Sequence, residues 1–136
     1  MRRNLLLVDD DQGLHEVLSH QLRQMGYRVQ TANTGQEALT RFRTAPADIV
    51  VTDAMMPDMH GLTLLRRIKA VAPETIVVII TAYGDVEDAI KACELGAYDY
   101  LMKPFSKEQL RFALAKAEHI RHPERENISL RSELAD

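Results

Sequence analysis

Asp48-Ile49-Val50-Val51-Thr52-Asp53-Ala54-Met55-Met56-Pro57-Asp58-Met59-His60-Gly61 decides how the rest of the chain is read. Mostly β-branched apolar residues run straight into an aspartate and then into a Met-Met-Pro-Asp turn. An unbroken apolar run bounded by turn residues is the pattern of a parallel strand buried on both faces. Open α/β sheets bind ligands in the crevice beyond the carboxyl ends of their strands. Asp53 falls at such an end, which makes it a functional candidate on position alone. Aspartate is also a common turn and cap residue, so this stretch by itself leaves the simpler role open.

Strand and helix signals alternate five times along the chain, with no internal repeat or low-complexity segment. Leu5 to Val8 reads as a short buried strand ending at Asp9, Asp10 and Asp11. Leu14, Val17, Leu18, Leu22 and Met25 recur at helical spacing, and Gly26 supplies a C-terminal stop. Tyr27 to Ala32 alternates as a strand nearer the sheet edge. Thr34 and Glu37 form a capping-box pattern for a helix that buries Ala38, Leu39 and Phe42. After the Asp53 strand comes a helix with Leu62, Leu65 and Ile68 on one face. Ile76 to Ile80 is a second strongly buried strand, ending at Thr81. Asp85 is a cap for a helix expected to bury Val86, Ala89, Ile90 and Cys93 and to close at Gly96. A short strand from Tyr98 to Met102 meets Lys103-Pro104. Ser106 and Gln109 open a last helix with Leu110, Ala113, Leu114 and Ala117 inward.

Strict (βα)5 alternation with short connections predicts a doubly wound parallel α/β sheet with helices on both faces and right-handed crossovers. The strand order 2-1-3-4-5 satisfies this, with its switch point between the first and third strands. Asp9, Asp10 and Asp53 all fall at the carboxyl ends of those two strands. Beyond about residue 120 the pattern changes. His122-Pro123 breaks the helix, and 124–136 is highly charged with only Ile128, Leu130 and Leu134 apolar. That segment reads equally as a frayed tail or as the start of a linker or coiled coil.

At 136 residues the chain has room for one domain with a real core, and 46% hydrophobic residues is the usual globular share. Seventeen basic against twenty acidic residues, net −3, argues against a nucleic-acid surface in this segment. A single cysteine, Cys93, excludes an internal disulfide and fits a cytosolic setting. No apolar run approaches the roughly 18 residues that span a bilayer, and the N-terminus lacks signal-peptide features. The expected location is cytoplasmic, with no membrane partner.

Three carboxylates brought together repel one another unless they are protonated or bridged by a cation. An all-oxygen cluster without nearby cysteine or histidine favours a hard ion, with Mg²⁺ the default, and Mg²⁺ commonly shares its shell with phosphate oxygens. Thr81 adds a hydroxyl at another strand end and Lys103 an ammonium. A nucleophilic carboxylate, a metal, a hydroxyl donor and a lysine suit phosphoryl transfer onto an aspartate. Neither GxGxxG nor GxxxxGK[ST] occurs.

Taken together, Asp9-Asp10, Asp53 before Met56-Pro57 and Gly61, Thr81-Ala82, and Lys103-Pro104-Phe105 resemble the receiver domain of bacterial two-component response regulators, over residues 4 to about 120. The resemblance implies a flavodoxin-like receiver fold in residues 1–120, with 121–136 a charged linker or the start of a linker helix to an absent output domain. It implies that Asp53 is the phosphoacceptor for a histidine kinase. It assigns Mg²⁺ to Asp10, Asp53 and the backbone carbonyl of Met55, with Asp9 acting partly through water. Lys103 would contact the phosphoryl group, and its peptide bond to Pro104 would be cis. Such a domain is a phosphoacceptor that assists its own transfer and slowly dephosphorylates itself, rather than an enzyme.

Family behaviour implies a switch as well. Phosphorylation draws the Thr81 hydroxyl towards the phosphoryl oxygens, and Tyr100 turns inward into the vacated space. The face of the fourth helix, fifth strand and fifth helix then changes its packing, and a homodimer through that face is expected. Physically, a new dianion biases a pre-existing two-state element. Met55 and Tyr83 lie two residues beyond Asp53 and Thr81, on the path of an attacking water. Both are bulky and neither orients water well, so slow autodephosphorylation is expected.

Simpler roles are expected elsewhere. Asp11 reads as the first helix's N-cap. His15, His20 and His60 read as residues on solvated faces, and His119 and His122 as polar residues at a helix end. Cys93 reads as a small core residue, and Asp58 and Gly61 as turn and helix-start residues. The strongest rival function is a haloacid-dehalogenase-like phosphatase, with Asp9 as nucleophile and Asp11 as acid/base. It leaves Asp53 to Pro57 unexplained and lacks an acidic pair after Lys103. A phosphorylation-independent interaction module leaves the acidic and lysine set without a use. Gly96 to Pro104, with Leu130 to Leu134, is similar to the nitrogen-regulator class, whose receivers precede an ATPase that activates the alternative sigma factor and a DNA-binding domain. Pro123 departs from that class's continuous coiled coil. A stand-alone receiver is the alternative.

Overall fold

Strands form where apolar residues run unbroken, and the described residues contain five of them: β1 (Asn4–Val8), β2 (Arg28–Ala32), β3 (Ile49–Asp53), β4 (Ile76–Thr81) and β5 (Asp99–Met102). In this computed structural model, which describes residues 3–82, 84 and 86–118, they make one parallel sheet in the order β2-β1-β3-β4-β5. The order is the one expected from the alternation of signals. Helices α1 (Gln12–Gln24), α2 (Gly35–Thr44), α3 (Gly61–Val71) and α4 (Val86–Glu94) connect the strands. Every residue of β3 and β4 is buried, whereas β2 at the edge alternates between exposed and half-buried positions up to the buried Ala32. Central strands covered on both faces require apolar side chains on both, which is why these two read as continuous runs.

The two faces carry separate cores. Leu6, Val8, Val50, Val77 and Ile79 join the buried residues of α2, α3 and α4 in one cluster. Their strand neighbours Leu5, Leu7, Ile49, Val51 and Val78 are equally buried but point the other way, by the two-residue period of a strand. The buried residues of α1 are absent from the first cluster, and α1 lies along β1 and β2, so it covers the second face.

The chain divides into two compact units, Met1–Phe105 and Ser106–Asp136. In the second, residues 107–118 form a helix, α5, with Leu110, Ala113, Leu114 and Ala117 buried at helical spacing. Its start is a reciprocal capping box: the Ser106 N–H donates to Gln109 Oε1 at 2.8 Å and the Gln109 N–H to Ser106 Oγ at 3.0 Å. The expectations for Tyr83, for Asp85 as a cap, for the Val86 side chain and for residues 119–136 lie outside what the structure describes.

Most helix signals hold. Asp11 caps α1 by accepting the Leu14 N–H, and Thr34 caps α2 by accepting that of Glu37. Glu37 in turn accepts the N–H of Asn33, one residue before the cap. Gly26 and Gly96 end α1 and α4 with φ of +101° and +105°, backbone that glycine adopts without a Cβ penalty.

Two helix faces differ from expectation. On α1 the buried stripe is His15, Leu18, Ser19 and Leu22, while Val17 is 54% exposed. His15 is therefore not on a solvated face. On α4, Ala92 is buried whereas Ile90 and Cys93 are exposed, so Cys93 is not a core residue. In α1 the polar His15 and Ser19 share the inward phase with Leu18 and Leu22, in α4 the small Ala92 takes it, and the apolar residues that suggested a different phase point elsewhere at about 100° per residue.

The loop after β3 is tied to α2 by Asp58, whose carboxylate accepts the N–H groups of Gly35 at 2.9 Å and Gln36 at 2.8 Å. Burial raises the Asp58 pKa, but the backbone N–H bonds from Gly35, Gln36, Asp58 itself and Met59 outweigh it, and the net shift is downward. A lowered carboxylate pKa contributes stability that is complete above the ordinary value and lost as pH falls through the lowered one. Asp58→Ala is expected to cost about 1 kcal/mol, as loss of a helix cap does. A fall in the urea midpoint at pH 7 that shrinks in acid would register it.

Candidate functional site

Parallel register builds the site at one rim of the sheet. Val8 pairs with Thr52, so Asp9 and Asp53 leave adjacent strands at the same level. Asp53 pairs with Ile80 and Thr81 with Met102, which brings Thr81 and then Lys103 to the same rim. Backbone bonds continue the ladder past the strand ends: the Ala54 N–H donates to Ile80 O at 2.9 Å and the Lys103 N–H to Thr81 O at 2.7 Å. The Lys103–Pro104 peptide bond is cis.

Carboxylate oxygens of Asp9, Asp10 and Asp53 lie within 4.8 Å of one another. Asp9 is fully buried and Asp53 is 7% exposed, while Asp10 faces solvent. Lys103 Nζ bridges the two buried acids, at 3.2 Å from Asp9 Oδ2 and 3.5 Å from Asp53 Oδ2. The other Asp9 oxygen accepts the Asp11 N–H at 2.9 Å. Asp53 Oδ1 accepts the Met55 N–H at 3.3 Å. Asp9 is thus committed to Lys103 and to the backbone, whereas Asp53 is held more loosely and next to the exposed Asp10.

Electrostatics leave this cluster short of positive charge. Unit charges 4.8 Å apart repel by about 3.5 kcal/mol at an effective dielectric near 20. Three carboxylates and one ammonium carry a formal charge of −2 when ionised. Burial raises the Asp53 pKa; the Lys103 charge lowers it, Asp9 raises it, and hydrogen bonds from Met55 and Lys103 lower it, leaving a net upward shift. An all-oxygen set with residual charge −2 fits a hard divalent cation.

Thr81 is 1% exposed at the end of β4. Tyr100, on β5, is half-buried against the core cluster and lines a small cavity with Thr81, Ala54 and Met55. Its hydroxyl lies where a Cβ on Gly84 would be, beside the Thr81 methyl. Met55 is 53% exposed over the Asp53 end of the sheet.

Gly61 lets α3 start against the end of β3, since a Cβ there would lie 2.5 Å from Asp53 O and 2.8 Å from Ala54 Cα. His60 is not merely a solvated residue: its Nδ1 accepts the Leu62 N–H at 3.1 Å as the N-cap of α3, and it bridges Met55. Histidine is an uncommon cap, so composition gave no hint of this. Asp11, the acid/base of the phosphatase reading, spends its carboxylate on capping α1.

Comparison with known proteins agrees in direction. Residues 5–115 match the family described as "Response regulator receiver domain". The chain is 42% identical over 114 residues to the transcriptional regulatory protein ZraR of Escherichia coli, covering 84% of this chain and 26% of ZraR. It is 36% identical over 128 residues to the C4-dicarboxylate transport transcriptional regulatory protein DctD of Rhizobium meliloti, covering 94% and 28%. The chain thus spans about a quarter of the length of these relatives. A response regulator receiver domain protein from Clostridium thermocellum superposes with a TM-score of 0.83 at 33% identity, covering 88% of this chain and 97% of that one.

Proposed function

Since this chain belongs to the response regulator receiver domains, we propose that Asp53 is its phosphoacceptor and that the donor is a phosphohistidine on a partner kinase. The observation that carries this reading is the Lys103 ammonium held between Asp9 and Asp53 at the carboxyl rim of the sheet. An Asp53 oxygen attacks phosphorus, the P–N bond to imidazole breaks, and the departing nitrogen keeps the electron pair and takes a proton. Lys103 and the Thr81 hydroxyl offset charge on the transferring oxygens. In such transfers the protein contributes mainly position and charge stabilisation.

Asp10, Asp53 and the Met55 carbonyl would hold Mg²⁺, with Asp9 behind them. The bound ion supplies the charge that one lysine cannot. The raised Asp53 pKa reinforces the need, because the attacking form is the ionised one.

The domain itself is no enzyme in the ordinary sense; it assists its own phosphorylation and loses the phosphoryl group slowly. Met55 supports slow loss, because a thioether at the mouth of the site cannot orient water. Met55→Asn is expected to speed phosphate release by roughly tenfold, less than the ~10²–10⁴-fold of a positioned acid or base because an amide only orients the water. Phosphate release from the labelled variant at an unchanged rate contradicts it.

The output reading is a cytoplasmic transcriptional regulator of the nitrogen-regulator class, this domain controlling an ATPase that acts on the alternative sigma factor and a DNA-binding domain. Ile90 on α4 and Met102 on β5 are exposed apolar residues suited to a second copy or to an output domain. Among the described residues no helix is long and apolar enough to cross a membrane. Incubation with radiolabelled acetyl phosphate tests the acceptor reading. One phosphoryl group per chain with Mg²⁺ and none with chelator supports it; uptake that ignores the ion overturns it.

A further inference from the structure

We propose that Gly84 is a positioning residue for Tyr100: the absent side chain at 84 leaves the space in which the tyrosine hydroxyl lies beside Thr81. A Cβ built on Gly84 would overlap Tyr100 Oη and come within 2.7 Å of both Tyr100 Cζ and Thr81 Cγ2. Optimal carbon contacts are ~3.5–4.0 Å, so these cannot coexist with a side chain at 84. Gly84, the end of β4 and the middle of β5 meet there.

Two further observations say which group yields. Thr81 is 1% exposed, and its carbonyl accepts the Lys103 N–H, so its main chain is fixed in the sheet. Tyr100 is only half-buried, and the cavity it lines with Thr81 is about 20 Å³, room for about one water and not for a displaced methyl and ring together. The ring therefore moves outward when residue 84 gains a side chain. What a Cβ at 84 would meet is the side chains of Tyr100 and Thr81, so alanine there tests crowding against those two residues.

Residue 84 thereby sets how much of the population holds Tyr100 inward before phosphorylation. This deepens the phosphoacceptor reading, and only its consequence for signalling rests on that reading. A ligand moves a two-state element only through contacts that differ between the states, and Gly84 tunes the starting ratio.

The test is Gly84→Ala, observed by NMR of the chain with ¹³C-labelled tyrosine, the Tyr100 signals being identified by their loss in Tyr100→Ala. The native chain gives a nuclear Overhauser effect between the Tyr100 ring and the Thr81 methyl. In Gly84→Ala the inward fraction falls by roughly tenfold or more, the factor that overpacking by one methyl produces, and the cross-peak is lost. Persistence of the cross-peak at native intensity in folded Gly84→Ala overturns the proposal. Should Gly84→Ala alone fail to fold, adding Tyr100→Ala is expected to restore folding, and a double variant that is equally unstable also overturns it. With acetyl phosphate and Mg²⁺, Gly84→Ala takes up label while Tyr100 stays outward. Absence of label from the native chain sinks the phosphoacceptor reading instead, and leaves the cross-peak result to decide the role of Gly84.

Discussion

Asp53→Asn is expected to take up no phosphoryl group and, without a divalent cation, to unfold at a higher temperature than the native chain. An amide has the shape of the carboxylate but no nucleophilic oxygen anion, so uptake falls below detection. The stability gain follows from the direction of the Asp53 pKa. Burial, reinforced by Asp9, disfavours the ionised form more than Lys103 and Met55 favour it. A carboxylate whose folded pKa is raised binds more protons folded than unfolded, so stability declines as pH rises from the ordinary value of 3.8 through the raised one. Above the raised pKa the penalty is present in full, and neutral asparagine removes it. The expected gain is a rise of a few degrees in melting temperature, the scale on which single-site changes show in a domain of this size. Calorimetry at pH 7 and near pH 3.5 checks it: the difference is present at the first and nearly gone at the second. Equal melting temperatures at pH 7 would mean that Asp53 carries no electrostatic strain.

Lys103→Met acts in the opposite direction on stability and in the same direction on chemistry. The ammonium is the one cation hydrogen-bonded to both buried acids among the described contacts. Its removal leaves Asp9, 0% exposed, with only the Asp11 N–H among the described residues. Breaking a fully buried pair costs about 3–5 kcal/mol. The Lys103 side chain is 19% exposed, so water recovers part of that, and a loss of about 2 kcal/mol is expected. Phosphoryl uptake falls by roughly a hundredfold or more, as when one donor to a developing charge is removed. Mg²⁺ is expected to restore much of the stability, since it binds the folded cluster, but not the uptake, because the contact to the phosphoryl oxygens remains lost. Urea titrations with and without Mg²⁺, paired with uptake assays, separate the two effects.

The rim was legible in the sequence because its logic is one-dimensional. Apolar runs fixed the central strands, and each ends at a residue with chemistry: Val8 at Asp9, Thr52 at Asp53, Ile80 at Thr81, Met102 at Lys103. Short connections between alternating elements then left few topologies. Caps at Asp11, Thr34 and Ser106 were legible for the same reason, since each bonds to a residue three positions away. What escaped depends on neighbours distant in sequence. Asp58 caps a helix that begins 23 residues before it. His15 and Ser19 are inward because α1 sits over the edge of the sheet, a choice that Val17 made hard to see. Ile90 and Cys93 mimic a core stripe on a helix whose inward face is Ala92. Gly84 gave no signal at all, because its meaning is a tyrosine from another strand occupying its side-chain space.

Which acid takes the phosphoryl group decides the function of the rim. Phosphorylation with acetyl phosphate and Mg²⁺, trapping of the acyl phosphate by borohydride reduction, and mass spectrometry of the peptides locate it. The modification is expected on Asp53 alone. A modification on Asp9, or an unmodified Asp53 in a chain that has taken up label, would contradict the assignment.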